Sequence, residues 1–342
     1  MLDELVAAIA RHGGDMWSDT AVPRQRLVTL DEPVAPLDML YEPMVCFVVQ
    51  GSKSSVAGDR RWTSGCGEVF LNSLVLPVTA TFEEVPYRSA VLRLDGGMLA
   101  ELLLELDPDP DPDPRDTRGS GTRGIGAQAG GVHTRGAQAG GAHAHGAQAG
   151  GVHAGGASGP PGPDPEGRLA TPMTPELADA VTRWVRLLDT PQDIPALAGR
   201  IETEILYRLL GSELGPTLRH FALDDSAAAR IRTAARWIYA RFTEPLGIEA
   251  IAAVAHMSTA SLHRHFKAAT GMSPLRFQKH LRLQEARRLL LAEDTTAALV
   301  AERVGYVSAT QFNREYRRTY GLPPGQDAAR LRDRLADARR GA

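Results

Sequence analysis

One stretch of this sequence carries nearly the same pattern twice, and this repetition constrains the fold more than any other feature. Residues 258–274 and 308–324 align without gaps at a constant offset of 50 residues. Matched positions carry the same residue or a chemically similar one. The pairs are Ser258 and Ser308, Leu262 and Phe312, Arg264 and Arg314, Phe266 and Tyr316, Lys267 and Arg317, Gly271 and Gly321, and Pro274 and Pro324. The repetition predicts two copies of one supersecondary unit.

Both copies carry residues that mark where a helix begins and ends. Ser258 and Ser308 are favoured N-cap types, and Ser308 with Gln311 has the spacing of a capping box. Gly271 and Gly321 suit the left-handed position just after a helix, and a proline follows each of them three residues later. These signals predict one helix in each copy, starting near residue 259 and near residue 309.

A shorter apolar segment precedes each of these helices. Apolar residues recur at helical spacing over 248–255 and again over 299–304, and a tight turn follows each segment. Such a helix, turn and second helix form a helix-turn-helix unit. Between the two units, Ser273-Pro274 opens a further helix that runs to about Ala292. That helix would be roughly 27 Å long, so it can hold the two units about one turn of DNA apart.

The outward faces of the two second helices carry residue types that contact DNA. Leu262 and Phe266 are four residues apart and form one buried stripe, so the other positions face outward. Arg can bind guanine through two hydrogen bonds, and Asn and Gln can do the same with adenine. A solvated amphipathic face would explain one copy, but two copies at a fixed offset favour DNA recognition. The predicted DNA-binding residues are Thr259, Ala260, Ser261, His263, Arg264, Lys267, Ala309, Thr310, Gln311, Asn313, Arg314, Arg317 and Arg318, with Lys267, Arg317 and Arg318 assigned to phosphates.

Charge is distributed unevenly along the chain. Residues 226–342 contain 20 Lys and Arg against 10 Asp and Glu, a net charge of +10. The whole chain has a net charge of −3, which leaves −13 for residues 1–225. DNA would attract the basic part and not the acidic part. We therefore predict two domains, 1–225 and 226–342, with a hinge near residues 223–226 and DNA binding in the second domain.

Four segments of the C-terminal domain form a long motif, namely Met257–Lys267, Gly271–Pro274, Val304–Tyr306 and Gln311–Arg318. Together they resemble the DNA-binding domain of the AraC/XylS family of bacterial transcription regulators, and the resemblance extends from Ser226 to about Arg332. It implies two helix-turn-helix subdomains that insert 259–268 and 309–318 into the major groove of double-stranded promoter DNA, with RNA polymerase as a candidate further partner. His256 departs from the pattern, since the turn of this family usually carries glycine there.

Residues 24–95 have the pattern of a small barrel or sandwich of short strands. The predicted strands are 26–30, 44–50, 60–63, 68–72, 75–82 and 89–95, with turns at Gly51-Ser52, Gly58-Asp59 and Gly65–Gly67. Helical periodicity is present over an amphipathic N-terminal segment and over 97–106, 175–188, 194–210 and 226–242.

The strand region also resembles the N-terminal sensor domain of one subgroup of the same family. The resemblance is carried by Tyr41–Lys53, Leu76–Thr79 and Pro86-Tyr87. It implies a cupin-like barrel at about 24–95 with helices behind it at 173–213, and a homodimer that forms through those helices and responds to a small-molecule effector. The expected fold class is therefore α+β, with an all-α C-terminal domain.

The ligand-binding residues of the barrel are predicted less directly. Alternating and aromatic positions supply the candidates Phe47, Val49, Trp62, Phe70 and Tyr87, for which ordinary barrel core is the competing interpretation. No histidine lies between His12 and His133, so a metal-dependent cupin enzyme is disfavoured and no cofactor is predicted.

Two alternative functions stay open. A DNA-repair enzyme would need a reactive cysteine at Cys46 or Cys66, both of which lie in an acidic strand region. An architectural protein would bind DNA without sequence preference. The two cysteines, the N-terminus without a basic leader and the absence of a long apolar run predict a cytoplasmic protein that does not enter a membrane.

The composition changes abruptly over residues 107–172. Asp-Pro repeats are followed by three near-decapeptide repeats that begin at Gly126, Gly136 and Gly146. A segment with so few apolar side chains cannot offset the entropy cost of ordering, so we predict a disordered insertion into the sensor domain. The histidines that recur with the repeats could collect a metal ion, although incidental histidines of an expanded tract explain them as well.

Overall fold

A computed structural model describes residues 2–14, 16–106, 168–222 and 227–341. The predicted hinge at 223–226 and the low-complexity residues 107–167 lie outside these ranges. The predicted insertion extended to residue 172, but residues 168–172 form a strand. None of the helices within the described ranges combines the length and the apolar character that crossing a membrane requires.

The strands of the described residues form a single eight-stranded sheet in which every pairing is antiparallel. They are β1 (Trp17–Asp19), β2 (Gln25–Leu30), β3 (Leu37–Tyr41), β4 (Met44–Ala57), β5 (Arg60–Gly65), β6 (Glu68–Asn72), β7 (Leu76–Arg93) and β8 (Arg168–Pro172). The main order is β1-β2-β7-β4-β6-β8, while β3 pairs with β7 and β5 pairs with β4.

Two long strands give this sheet its shape. The prediction of separate strands at 75–82 and 89–95 is wrong, because β7 runs without interruption through both. Likewise Gly51-Ser52 is not a turn: it lies inside β4, where the register against β7 shifts between Val48 and Lys53. Gly51 has a φ of +72° there, so the glycine adopts the left-handed backbone conformation of a β-bulge. The bulge lets the two halves of β4 pair with β6 and with β5 respectively.

The helices cover both faces of the sheet and form the C-terminal domain. They are α1 (Leu2–His12), α2 (Gly96–Leu106), α3 (Pro175–Arg186), α4 (Ile194–Leu210), α5 (Gly215–Ala222), α6 (Ala227–Ala240), α7 (Ile248–Val254), α8 (Thr259–Thr270), α9 (Pro274–Ala292), α10 (Ala297–Arg303), α11 (Ala309–Tyr320) and α12 (Pro324–Gly341). The α+β fold class is therefore confirmed, with an antiparallel sheet in the N-terminal part and helices throughout the C-terminal part.

Alternation along the strands divides the core into two clusters. In β4, Phe47 and Val49 face a cluster that includes residues of helices α1 to α5. Cys46 and Val48 point to the opposite face of the sheet and join a second cluster that includes residues of α6 to α9. Because successive side chains of a strand point to opposite faces, one strand contributes to both clusters. The first helix-turn-helix unit thus packs on the sheet, whereas the second has its own core around Phe312 and Tyr316.

Polar contacts connect the sheet and its β4–β5 turn to the end of α8 and to α9. The main-chain N–H of Asp59 donates to the carbonyl of Gly271 at 3.2 Å, and Arg276 forms an ion pair with Asp59 at 2.9 Å. Gln284 donates to the carbonyl of Val78 at 3.0 Å. A Cβ at Gly271 would lie 2.5 Å from the carbonyl oxygen of Ala57, so the two main chains approach closely because this position is glycine.

Candidate nucleic-acid interface

The two predicted recognition helices are built alike from residue to residue. In α8, the Ser258 hydroxyl accepts a hydrogen bond from the N–H of Ser261 at 3.2 Å, and Gly271 ends the helix with a φ of +74°. In α11, the Ser308 hydroxyl accepts from the N–H of Gln311 at 3.3 Å, and Gly321 ends the helix with a φ of +80°. The predicted N-caps and the left-handed glycines are therefore confirmed.

The capping box at α11 is only half formed. Its serine caps the helix, but the Gln311 side-chain amide donates to Glu315 at 3.3 Å. Glu315 is buried and also accepts from Tyr306 and from Lys279, each at 2.9 Å. Although burial raises it, hydrogen bonds from these three groups leave the pKa of Glu315 below its usual value. Gln311 thus bonds the buried carboxylate of Glu315 and does not complete the capping box. The same carboxylate fixes α11 to the preceding turn and to α9.

The turns that precede the recognition helices share one hydrogen-bond pattern. In the first unit, the N–H groups of His256 and Met257 donate to the carbonyls of Ala253 and Ala252. The second unit repeats this pattern from Gly305 and from the residue after it. Both turns are Schellman motifs, which require a left-handed residue. His256 has a φ of +50° and Gly305 one of +86°, so the histidine occupies a conformation that glycine adopts more readily.

Gly305 is expected to be intolerant of any side chain. An added Cβ would lie 1.9 Å from the carbonyl oxygen of Thr243, in addition to the strain of the left-handed backbone. Gly305→Ala should therefore lower the free energy of unfolding by about 2–4 kcal/mol, measured by urea denaturation. Gly321→Ala is the matched control, because Gly321 has a similar φ but no atom within 4 Å of its Cβ. It should cost about 1 kcal/mol, and equal losses in the two variants would contradict the clash.

Arg282 of the central helix α9 connects the two units. Its guanidinium donates to the carbonyl of Phe242 at 2.6 Å and to that of Glu244 at 2.7 Å, in the segment between α6 and α7. It also donates to the carbonyl of Gly305 at 2.9 Å, in the turn of the second unit. Gln278, one helical turn earlier, bonds the carbonyls of Phe242 and Glu244 as well. One arginine thus fixes the turn of one unit against the main chain of the other, and no spacing or motif in the sequence predicted this contact.

The predicted DNA contacts lie on the solvent side of α8 and α11. Twelve of the thirteen side chains are exposed and Ser261 is half-buried. The exposed positions are Thr259, Ala260, His263, Arg264 and Lys267 in α8, and Ala309, Thr310, Gln311, Asn313, Arg314, Arg317 and Arg318 in α11. Their opposite sides are anchored by Leu262 and Phe266 in α8 and by Phe312 and Tyr316 in α11, all fully buried.

The cations of these two faces differ from several other surface arginines of the structure. Arg303 and Arg288 form ion pairs with carboxylates, although both are on the surface. Within the described ranges, Lys267, Arg314, Arg317 and Arg318 form no ion pair with a carboxylate. Arg314, Arg317 and Arg318 line an open groove of about 800 Å³ together with Asn313 and the start of α12. Cationic side chains without a neighbouring carboxylate are suited to bind phosphates and the acceptor atoms of guanine.

The predicted ligand-binding residues are not brought together by the sheet. Phe47 and Val49 face the helices on one side, whereas Phe70, Tyr87 and the half-buried Trp62 belong to the cluster on the other side. Trp62 and Phe70 stack with 5.8 Å between their ring centroids, whereas Tyr87 packs against Phe82 with 4.9 Å between the centroids. The five residues therefore do not form one site, because strand alternation sends them to opposite faces.

Comparison with known proteins gives matches over most of the chain. The sequence profile described as the AraC-type transcriptional regulator N-terminus matches residues 21–217, which is more than half of the chain. The profile described as a helix-turn-helix domain matches residues 251–330. The curated relatives include the HTH-type transcriptional activator RhaS of Escherichia fergusonii, 33% identical over 146 residues that cover 40% of this chain and 50% of that protein. The chain thus spans about half the length of the curated relatives it matches.

Solved structures with similarity to this chain fall into two groups. The DNA-binding domain of AdpA, in complex with a target DNA, is 30% identical and covers 31% of this chain and 95% of that chain, with a TM-score of 0.30. An apo ToxT variant from Vibrio cholerae strain SCE256 is 10% identical and covers 92% of this chain and 99% of that chain, with a TM-score of 0.49.

Proposed function

Because the chain belongs to the AraC-type transcriptional regulators, we propose that it binds double-stranded promoter DNA in a sequence-specific way and regulates transcription there. The observation that carries this proposal is the pair of capped helices α8 and α11, each with an exposed basic and polar face, on one central helix. The 19 residues of α9 give a length of about 28 Å, close to one turn of DNA. Two successive major grooves on one side of the duplex are then within reach.

The proposal assigns separate roles to the exposed residues. Thr259, Ala260, His263 and Arg264 would contact bases in one groove, and Thr310, Gln311, Asn313 and Arg314 would do so in the next, with Ser261 and Ala309 beside them. Lys267, Arg317 and Arg318 would bind phosphates and set the register. The Arg282 contacts support binding in two successive grooves, since they hold the two units in one fixed relation.

Residues 1–225 form the sensor domain in this proposal and residues 226–342 the DNA-binding domain. The sensor would bind a small-molecule effector and form a homodimer through its helices, where Leu197 and Tyr207 of α4 are exposed. Effector binding can change DNA binding only if the effector has different affinities for two arrangements of the domains. The extensive contact between the sheet and α6 to α9 supplies one such arrangement.

Selection of genomic fragments by the purified full-length protein at physiological salt tests the proposal. We expect enrichment of a few fragments that share a motif with two half-sites about one helical turn apart. Retention of all fragments in proportion to their length would contradict sequence-specific regulation and would favour an architectural protein. A polyvalent competitor such as heparin provides the control, because specific complexes should survive longer in it than complexes with random fragments.

A further inference from the structure

A buried carboxylate lies directly behind one of the predicted base contacts. Glu315 of α11 is only 7% exposed, whereas Gln311, about one helical turn earlier, is exposed on the outward face. The side-chain amide of Gln311 donates to Oε1 of Glu315 at 3.3 Å. Because residues four apart are neighbours on a helix, this bond connects the core of the second unit to the surface that is proposed to face DNA.

Two further donors hold the carboxylate of Glu315 in place. The Tyr306 hydroxyl donates to its Oε2 and the Lys279 ammonium to its Oε1, both at 2.9 Å. The pKa of Glu315 lies below its usual value, so the group carries its negative charge at neutral pH. An ionised carboxylate can only accept hydrogen bonds. Glu315 therefore determines which end of the Gln311 amide points inward, and that end is the nitrogen Nε2.

This orientation determines what the Gln311 amide can offer to a base. The bond to Glu315 uses one N–H group of Nε2 and leaves the second N–H and the carbonyl Oε1, for which no partner occurs in the part of the chain that the structure describes. In the major groove, adenine presents the acceptor N7 beside the donor N6, whereas guanine presents two acceptors, N7 and O6. One donor beside one acceptor matches adenine. With guanine, the amide carbonyl would face another acceptor.

The first unit does not have this pair of side chains. At the matched positions of α8, Ser261 replaces Gln311 and His265 replaces Glu315. His265 lies 3.3 Å from the guanidinium of Arg264. A unit of this fold therefore forms without a carboxylate at this position. Since burial of a charge costs free energy, the carboxylate of the second unit calls for a role beyond packing.

We propose that Glu315 is a positioning residue that makes Gln311 select adenine over guanine in the major groove. Glu315 does not touch the DNA. It prevents the Gln311 amide from rotating about its last bond, a rotation that would exchange the nitrogen and the oxygen and let the side chain pair with either purine. The inference rests on the proposed function, since it requires that α11 enters a major groove.

Binding of the full-length protein to a panel of duplexes tests this role. Each duplex carries the selected motif with one base changed, and fluorescence anisotropy gives the affinities. Gln311→Ala identifies the position that Gln311 reads, because base preference should be lost there and retained elsewhere. At that position the unmodified protein should prefer adenine over guanine by roughly 5-fold to 150-fold, the discrimination of one good bidentate pair.

Glu315→Gln should reduce this preference for adenine by about threefold or more. The new amide can donate as well as accept, so it no longer fixes the orientation of Gln311. In the background of Gln311→Ala, the same substitution should leave the preference at this position unchanged. Tyr306→Phe is the matched control, because it removes another donor to the same carboxylate but retains the acceptor for Gln311. It should lower the temperature of thermal unfolding and leave the base preference as it is.

An unchanged preference for adenine in a folded Glu315→Gln variant would overturn the positioning role. An equal loss of preference in Tyr306→Phe would do the same, since it would indicate general damage to the packing of α11. Nitrogen-15 correlation spectra of the unmodified protein test the bond without any change at Glu315. One side-chain amide proton of Gln311, assigned by its disappearance in Gln311→Ala, should exchange slowly with water. Two rapidly exchanging protons would contradict the bond.

The same panel separates this inference from the proposed function. Base preferences that persist at the other motif positions, while the adenine preference does not depend on Glu315, would leave the regulator proposal intact and remove only the positioning role. Equal affinity for every base at every position would overturn both.

Discussion

Replacing Asp327 by alanine is expected to lower the free energy of unfolding by about 3–5 kcal/mol. Asp327 is fully buried near the start of α12 and accepts hydrogen bonds from Arg287 at 2.8 Å, from Tyr316 at 3.0 Å and from Arg330 at 3.0 Å. Burial and the nearby Asp327 raise the pKa of Tyr316, which keeps its hydroxyl proton available for this bond. Without the carboxylate, the largely buried guanidinium of Arg287 keeps only Asp38 as an ion-pair partner, and the buried hydroxyl of Tyr316 loses its acceptor. A buried polar group is costly to leave unpaired.

Two matched variants show whether burial causes the loss. Asp38→Ala removes the other carboxylate bound to Arg287, at 2.9 Å. It leaves Asp327 in place for Arg287, Tyr316 and Arg330, so its effect should be smaller. Asp59→Ala removes an ion pair with Arg276 in which both side chains are more than half exposed, and should change stability very little. Urea denaturation of the three variants under one set of conditions gives the comparison. The buried-charge explanation fails if the Asp327 and Asp59 variants lose equal stability.

Arg287 also shows what local sequence patterns cannot reveal. It lies on α9 and joins Asp38 of strand β3 to Asp327 of α12, while the ring of Tyr320 lies 4.3 Å from its guanidinium carbon. The two carboxylates outweigh burial and raise the pKa of this arginine above its usual value. Asp38 and Arg287 are 249 residues apart in sequence. No periodicity or motif couples positions so distant, since only the folded chain brings them together.

The C-terminal helices could be predicted because their signals are local. A serine cap, an apolar stripe and a left-handed glycine lie within about one helix length, and the repeat supplied each of them twice. The start of α8 at Thr259 and the end of α9 at Ala292 accordingly agree with the predicted positions. In α11 the one local error was the capping box, because the buried Glu315 competes for the side chain of Gln311.

The sheet was less predictable because its signals depend on partners. Gly51-Ser52 has the composition of a turn, and only the opposing strand β7 decides that it becomes a bulge. Strand β8 was missed for a similar reason. Its five residues follow a low-complexity segment and have little strand character of their own, yet they pair along β6 from Glu68 to Asn72. Pairing at an available edge, and not local propensity, determines this strand.

Replacing Arg314 by alanine is expected to weaken binding to the selected DNA motif by about 1–3 kcal/mol, which is roughly 5-fold to 150-fold. The side chain is exposed on α11 and lines the open groove beside Asn313. Because Arg distinguishes guanine by two hydrogen bonds, the loss should be confined to one base position of the motif. The test uses a set of motifs with single base changes, and their affinities are measured by fluorescence anisotropy at a fixed salt concentration. They show whether the variant has lost its preference for one base at that position.

Arg317→Ala serves as the comparison, because the same charge is removed one helical turn further along α11. A phosphate contact carries no sequence information, so this variant should weaken binding to all motifs alike and reduce the salt slope by about 0.9. Arg61→Ala, in strand β5, should change neither quantity. Uniform weakening by Arg314→Ala as well would mean that both residues bind the DNA backbone. Base recognition would then have to come from α8 alone or be absent, and the architectural alternative would be favoured.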